Sequence, residues 1–461
     1  MEENLYTDSL EVVEHLLDGV SPELSEAINS AIHSKNKKKL KKSVEGLDPA
    51  DLKIVIEDLS EEERQVFFHL IGSYFNFDVL LELSDHVRQE VVQLIGIQQL
   101  AKRLEELDSD DAFFLIDELT PEQQEEILAT IPAAARVSYE KISAYPEYSA
   151  ARLMQQELVA VPSFWKVGDA MKHIQASDSI PGEFYEIYVV NPKHKILGSV
   201  SLSKIIRYKA LTPLKDVMER EFKAIPATLD QEEVAYLFRK YNLISAPVED
   251  DSGRIIGMIT GDDVVDVIEE EAEKDILQLA GVSETDFTAP FLVTSSKRIG
   301  WLVISLINAL LAAFVIESYK GVIENKGSLA ALMTVVAAMG SAAGTQVVAV
   351  TVRAYASRVF NTLSPWKVLW KETVIGLANA VFFSVILSSV VLFWFGDMKM
   401  ALILPAALIF NMGWSSAGGV LLPIVVSKMG FDPAVSAGPL LAATSDVIGF
   451  ASFLGLASLF L

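Results

Sequence analysis

The chain has 461 residues, a formal net charge of −24, no cysteine, and a mean hydropathy above zero although 22% of its residues are charged. So acidic a balance argues against nucleic-acid binding, which needs basic surface, and the lack of cysteine excludes disulfides and thiolate metal sites. High charge and high hydropathy coexist only when the charge is segregated. Residues 297–461 carry 10 Lys and Arg against 6 Asp and Glu, which leaves 28 basic and 56 acidic residues in 1–296, a net of −28 there.

Residues 1–155 read as an acidic series of short helices. The chain begins Met1-Glu2-Glu3, with no basic stretch running into an apolar one, which argues against a cleaved signal peptide. Asp48-Pro49-Ala50-Asp51 starts one helix, with Asp48 as N-cap, and Leu52, Val55, Ile56 and Leu59 follow at helical spacing. Asp110-Asp111-Ala112 through Leu119 repeats the scheme, followed by Thr120-Pro121-Glu122. A series of such helices predicts an all-α superhelix. His15, His33, His69 and His86 are scattered, without metal-ligand spacing.

Residues 156–262 carry a duplicated strand–turn–strand–helix pattern. The first copy, within 156–215, has Glu186–Val190, a turn at Asn191-Pro192-Lys193, then Ile196–Ser201. The second, within 216–262, has Ser245–Val248, a turn at Asp250–Arg254, then Ile255–Thr260. Helices are predicted to start at Leu202 and Gly261. Residues 263–297 form a connecting segment with an acidic helix, on which Asp262, Asp266, Glu269 and Glu273 share one face. A row of like charges is commonly a solvated face; placed before a membrane segment, it also suits the sensing of divalent cations.

Residues 298–461 contain five apolar stretches of membrane-spanning length, near 299–317, 328–352, 373–395, 400–427 and 433–461. Lys297 and Arg298 precede the first, Arg353, Arg358, Lys367 and Lys371 separate the second from the third, and Lys428 separates the fourth from the fifth. That alternation puts the N-terminal region in the cytoplasm and the C-terminus outside. Asp446 is the only carboxylate well inside the last stretch, and no Lys or Arg shares it. An ionised Asp there costs about 3 kcal/mol unless it meets water, a cation or a partner, and a passing cation is the simplest occupant. Gly438, Pro439 and Gly449 nearby permit close helix approach and freed carbonyls. We find no nucleophile–base pair and no P-loop, which argues against an enzyme.

The pair of strand–turn–strand units, each closing on Gly-x-x-Ser/Thr, resembles tandem CBS domains, a Bateman module. In the second copy Gly257, Thr260 and Asp263 match the positions that hold a ribose in that family, so the resemblance implies an adenine nucleotide such as ATP as a cofactor. The first copy has Lys204 in place of the carboxylate. Taken whole, the chain resembles the MgtE family of bacterial magnesium channels. The resemblance rests on Leu47–Asp51, Asp110-Asp111-Ala112, Tyr145–Met154, Asp230–Ala235 and Pro439–Asp446. It implies a multidomain protein with a helical N domain, a CBS pair, a plug-type connecting helix and a five-helix membrane domain.

The resemblance further implies a homodimer in a bacterial inner membrane, with Mg2+ held in the pore by Asp446 and the carbonyl of Ala442. Gly340, Gly344, Thr345 and Gln346 are then expected to line the pore. Glu232, Asp263, Asp266, Glu271, Asp275 and Asp110 are expected to bind regulatory Mg2+ from the cytoplasm and close the channel. Ala342 and Thr345 stand where this family commonly has Asn, and Asn242 and Lys274 where it commonly has acidic residues. The first two bear on ion selectivity and conduction; the last two predict a weaker magnesium-locked state. The alternatives are a carrier of another divalent ion, such as cobalt, and a non-conducting divalent-cation sensor that keeps the fold.

Overall fold

The computed structural model describes residues 20–461 apart from 73, 178–179, 183, 280–281, 283–290, 357, 359 and 361–363; His15 and most of the linker before the first span lie outside the described residues. The chain divides into two compact units, Met1–Glu269 and Glu270–Leu461.

The first unit opens with helices α1 (Pro22–His33), α2 (Lys37–Val44), α3 (Pro49–Asp58), α4 (Glu61–Ile71), α5 (Val79–Glu82), α6 (Asp85–Ile95) and α7 (Ile97–Arg103). Then come α8 (Ser109–Asp117), α9 (Pro121–Thr130), α10 (Ala133–Ser143) and α11 (Ala150–Leu153). Their starts follow local chemistry. Asp48 accepts the Ala50 N–H at 3.0 Å ahead of Pro49, and Ser60 with Glu63 and Thr120 with Gln123 form capping boxes. Leu52, Val55, Ile56 and Leu59 are all buried, as their spacing requires. Each such side chain contributes about 2 kcal/mol by leaving water.

The two strand–helix repeats fold alike. The first has β1 (Ala160–Pro162), α12 (Val167–Ala176), β2 (Glu186–Val190), β3 (Ile196–Ser201) and α13 (Leu202–Arg207). The second has β4 (Ile225–Pro226), α14 (Gln231–Tyr241), β5 (Ser245–Glu249), β6 (Ile255–Thr260) and α15 (Gly261–Leu279). In each, the middle strand pairs parallel to a short strand and antiparallel to the third, with an irregularity at the end of the ladder. The helical arm docks on the second repeat through its backbone. Ala150 and Ala151 donate to Leu229 O and Ala227 O, and Gln155 exchanges two bonds of 2.9 Å with Met258. Gly257 is required there, since a Cβ would fall 2.7 Å from Gln155 O.

The second unit takes over the C-terminal part of α15, then α16 (Phe291–Ser318), α17 (Lys320–Asn325), α18 (Ser328–Ala356), α19 (Pro365–Phe395), α20 (Met398–Lys428) and α21 (Pro433–Phe460). Five of these helices are long and apolar enough to cross a membrane: Thr294–Ser318, Ser328–Tyr355, Pro365–Phe395, Met398–Lys428 and Ala437–Phe460. Helix α20 is the hub, packing on α18, α19 and α21, while α18 and α21 also pack on each other. Pro405 lies inside α20 and cannot donate to Ala401 O. The Ser388 hydroxyl of α19 donates to that carbonyl at 2.9 Å. In an apolar medium such replacement of a missing backbone partner is what makes an internal proline tolerable.

Candidate functional site

The candidate functional residues fall into two carboxylate groupings, one in each unit, and one membrane-embedded face in the second unit. In the first unit, Asp110 and Asp111 stand in the first turn of α8, and Asp263 in the first turn of α15. Burial first, and the Asp263 and Asp111 charges next, push the Asp110 carboxyl up to about 8. Burial likewise lifts Asp111 to about 7, with Asp263 the next cause. Asp263 is raised to about 6 by burial, although the Thr260 hydroxyl and N–H donate to it and partly oppose the rise. Asp266 is raised by burial and then by Glu82, Glu269 and Asp262.

A carboxyl raised in the folded state binds more protons folded than unfolded between its two pKa values. Without cations, this cluster therefore makes the soluble unit less stable as pH rises from about 4 towards 8. We expect its melting temperature in a chelator to fall across that window, and Asp110→Asn to flatten the decline. A melting curve at several pH values checks both.

In the second unit, Asp275 faces Asp432 and Glu271, and its carboxyl is raised by burial first and by those two charges next. Asp432 caps α21, accepting the Ala434 N–H at 2.8 Å. Glu271 is held by Lys274 at 3.1 Å. Glu232 is exposed in the first turn of α14, where Asp230 accepts its N–H. The structure thus brings Asp110 to Asp263, and Asp275 to Glu271. Among the described residues no three His, Asp or Glu side chains converge as a direct metal site. A strongly hydrated dication, bound through its water shell, needs no such inner set.

The three departures in the soluble region have local reasons. Asn242 is the C-cap of α14 in the left-handed conformation, φ 49°, which Asn adopts more readily than most residues. Lys204 pairs with Glu219. Lys274 neutralises Glu271 within its own helix.

In the membrane unit, Asp446 is half-buried on α21, one turn beyond half-buried Ala442, while Leu441, Ser445 and Gly449 line the buried face of the same helix. Gly340 and Gly344 face inward. A Cβ on Gly344 would meet Leu441 at 2.5 Å, and one on Gly340 would overlap the Asn411 amide. Thr345 and Gln346 are exposed, and the Thr345 hydroxyl donates to Ser341 O at 2.9 Å. Thr345 and Ala442 each stand one residue beyond the Gly344–Leu441 contact. Sequence reasoning missed Asp111, Asp432 and Asn411 as partners of these groups. The N-cap and proline signal of Asp432-Pro433 was available; the tertiary pairings were not.

Comparison with known proteins bears on the same segments. Residues 333–456 match the MgtE family described as a divalent cation transporter, residues 47–148 match the MgtE intracellular N domain, and residues 214–270 match the CBS domain. The chain belongs to the MgtE family. It is 28% identical to the magnesium transporter MgtE of Thermus thermophilus over 95% of this chain and 98% of that one. To the magnesium transporter MgtE of Bacillus subtilis it is 24% identical, over 91% and 93%. Its fold is similar to the crystal structure of the cytosolic domain of the Mg2+ channel MgtE in complex with ATP, with a TM-score of 0.50 and 28% identity over 53% of this chain and 99% of that one.

The MgtE transporter segment spans Gly340–Gln346 and Asp446, and the N-domain segment contains Asp110 and Asp111. The CBS segment contains Gly257, Thr260, Asp263 and Asp266. With family membership, the five apolar helices make this a multi-pass membrane protein.

Proposed function

We propose that this chain conducts magnesium across a bacterial inner membrane, with Asp446 holding the hydrated ion in the pore. The observation that carries the reading is a lone, half-buried carboxylate inside α21, a helix that packs on α18, in a chain whose full-length relatives are named magnesium transporters. The oxygens of Thr345 and Gln346 and the carbonyl of Ala442 complete a lining suited to a water-clad octahedral ion. Gly340 and Gly344 serve it by letting α18 approach α20 and α21. Two copies place two Asp446 carboxylates about one pathway. The basic residues between spans favour a cytoplasmic N-terminal region and an external C-terminus.

Cytoplasmic magnesium regulates the pore through Asp110, Asp263, Asp266, Glu232, Glu271 and Asp275. At the CBS pair, Thr260 and Asp263 suit a ribose, and similarity to an ATP-bound cytosolic domain supports a nucleotide there. The neighbouring Asp110, Asp111 and Asp262 oppose a triphosphate unless a cation accompanies it.

Flux into liposomes loaded with a magnesium-sensitive dye, with cobalt and calcium as competitors, tests the reading. Saturable magnesium entry supports it. Cobalt entry alone would favour a different cargo, and the absence of any flux would favour a sensor. Thr345→Trp is expected to cut magnesium flux at least tenfold with an unchanged melting temperature. Unchanged flux would return Thr345 to simple helix packing.

A further inference from the structure

Asn411, in the middle of α20, is fully buried in the membrane unit. Its Nδ2 donates to Val336 O of α18 at 2.9 Å, and its Oδ1 has no partner among the described residues. The same side chain fills the space over two glycines on the other two helices. A Cβ added to Gly340 of α18 would overlap its amide, and a Cβ added to Gly449 of α21 would lie 2.7 Å from Nδ2. Gly449 is three residues from Asp446, and Gly340 begins the Gly340–Gln346 string. One amide thus meets both helices of the proposed pathway.

A leucine would fill a similar volume without leaving an acceptor unsatisfied in an apolar interior. Ser445, beside Asp446, also has a buried hydroxyl without a partner among the described residues, so the junction of α18, α20 and α21 is polar on more than one side. Helix packing by small residues alone sets distance but resists sliding and rotation weakly. A directional bond to one carbonyl of α18, wedged against one glycine of α21, fixes both.

We propose that Asn411 is a positioning residue that locks the axial and rotational register of α18 against α21, and so holds Asp446 in place relative to Thr345 and Gln346. The effect on conduction rests on the transport reading above; the lock itself does not. Asn411 acts through Asp446 and need not touch the ion. Its loss is expected to blur discrimination more than to unfold the chain, because magnesium demands a near-ideal octahedral shell and calcium tolerates a looser one.

The test uses the full-length chain in liposomes, with magnesium and calcium flux and melting temperature read for Asn411→Ala, Gly340→Ala and the double variant. Gly340→Ala alone is expected to lower both melting temperature and flux, since its methyl strikes the amide. Adding Asn411→Ala makes room and is expected to restore the melting temperature. Magnesium flux should nevertheless stay at least tenfold low in the double variant and in Asn411→Ala, and the magnesium-to-calcium flux ratio should fall severalfold.

Flux that recovers together with stability, or wild-type flux and discrimination in Asn411→Ala, would overturn the proposal by reducing Asn411 to packing. Should Asn411→Ala fail to fold, Asn411→Ser, too short to reach Val336 O, is read the same way, and wild-type flux again overturns it. If the unaltered chain carries no magnesium, the transport reading falls. The contact on which the lock depends is still judged then by the melting temperatures: if Asn411→Ala does not rescue the stability of Gly340→Ala, the lock is overturned as well.

Discussion

Asp446→Ala is expected to lower magnesium flux at least a hundredfold while leaving expression, elution volume and melting temperature close to wild type. A carboxylate about 5 Å from a dication, at an effective dielectric of about 20, attracts it by roughly 6 kcal/mol. The cost of keeping that charge in the membrane interior, about 3 kcal/mol, offsets only part of this. Each 1.4 kcal/mol or so is a factor of ten in occupancy, so even half of the gross attraction accounts for about a hundredfold. Folding should survive, because Asp446 lies half-buried with no ion pair among the described residues, and the buried face of α21 is carried by Leu441, Ser445 and Gly449. Asp446→Asn separates charge from shape. If the attraction is electrostatic, it should fail nearly as badly as Ala. Uptake at the wild-type rate by Asp446→Ala in magnesium-starved cells would remove Asp446 from the pathway.

Much of the architecture was legible in the residues because it rests on local signals. Asp48-Pro49 and Thr120-Pro121 mark helix starts that the structure keeps, and the duplicated strands at Glu186–Val190 and Ser245–Glu249 carry continuous apolar runs. The five spans announce themselves by length and hydropathy. The short strands Ala160–Pro162 and Ile225–Pro226 were not legible, since two or three residues have no periodicity to read and their partners lie more than 20 residues away.

The site was legible one residue at a time. Asp446 stands out by being a charge in an apolar stretch, and Gly340 and Gly344 by being small. That the two glycines face Asn411 and Leu441 is a fact about three helices meeting, which no single stretch encodes. Asn411 itself, flanked by Phe410 and Met412, reads as an unremarkable polar interruption until its neighbours across the helices are known.

The acidic cluster gives the other large expected effect, a magnesium response that depends on pH. Asp110, Asp111 and Asp263, raised to about 8, 7 and 6, are substantially protonated at pH 6 and largely ionised above pH 8. Protons and magnesium compete for the same oxygens. At pH 8 the cluster repels itself until a dication bridges it, and at pH 6 protons have already relieved much of that repulsion. We expect millimolar magnesium to raise the melting temperature of residues 1–279, and to protect them from proteolysis, far more at pH 8 than at pH 6.

At a hundredfold excess over its dissociation constant, a ligand adds about 2.7 kcal/mol, which for a unit of this size is roughly 5–10 °C. Asp110→Asn with Asp263→Asn should remove most of the magnesium shift and most of its pH dependence. Lys274→Glu should remove the 3.1 Å ion pair to Glu271 and strengthen the response. To regulate conduction, magnesium must bind the closed form more tightly than the open one, since equal affinity shifts nothing. Helix α15 carries members of both carboxylate groupings. It begins at Gly261, beside Asp263, and ends at Leu279, past Asp275, as one continuous helix. In liposomes, inhibition by internal magnesium should therefore weaken in the Asp110→Asn/Asp263→Asn chain and be stronger at pH 8 than at pH 6 in the unaltered one. Equal inhibition in both chains at both pH values, with no magnesium protection of the soluble region, would separate the cluster from gating altogether.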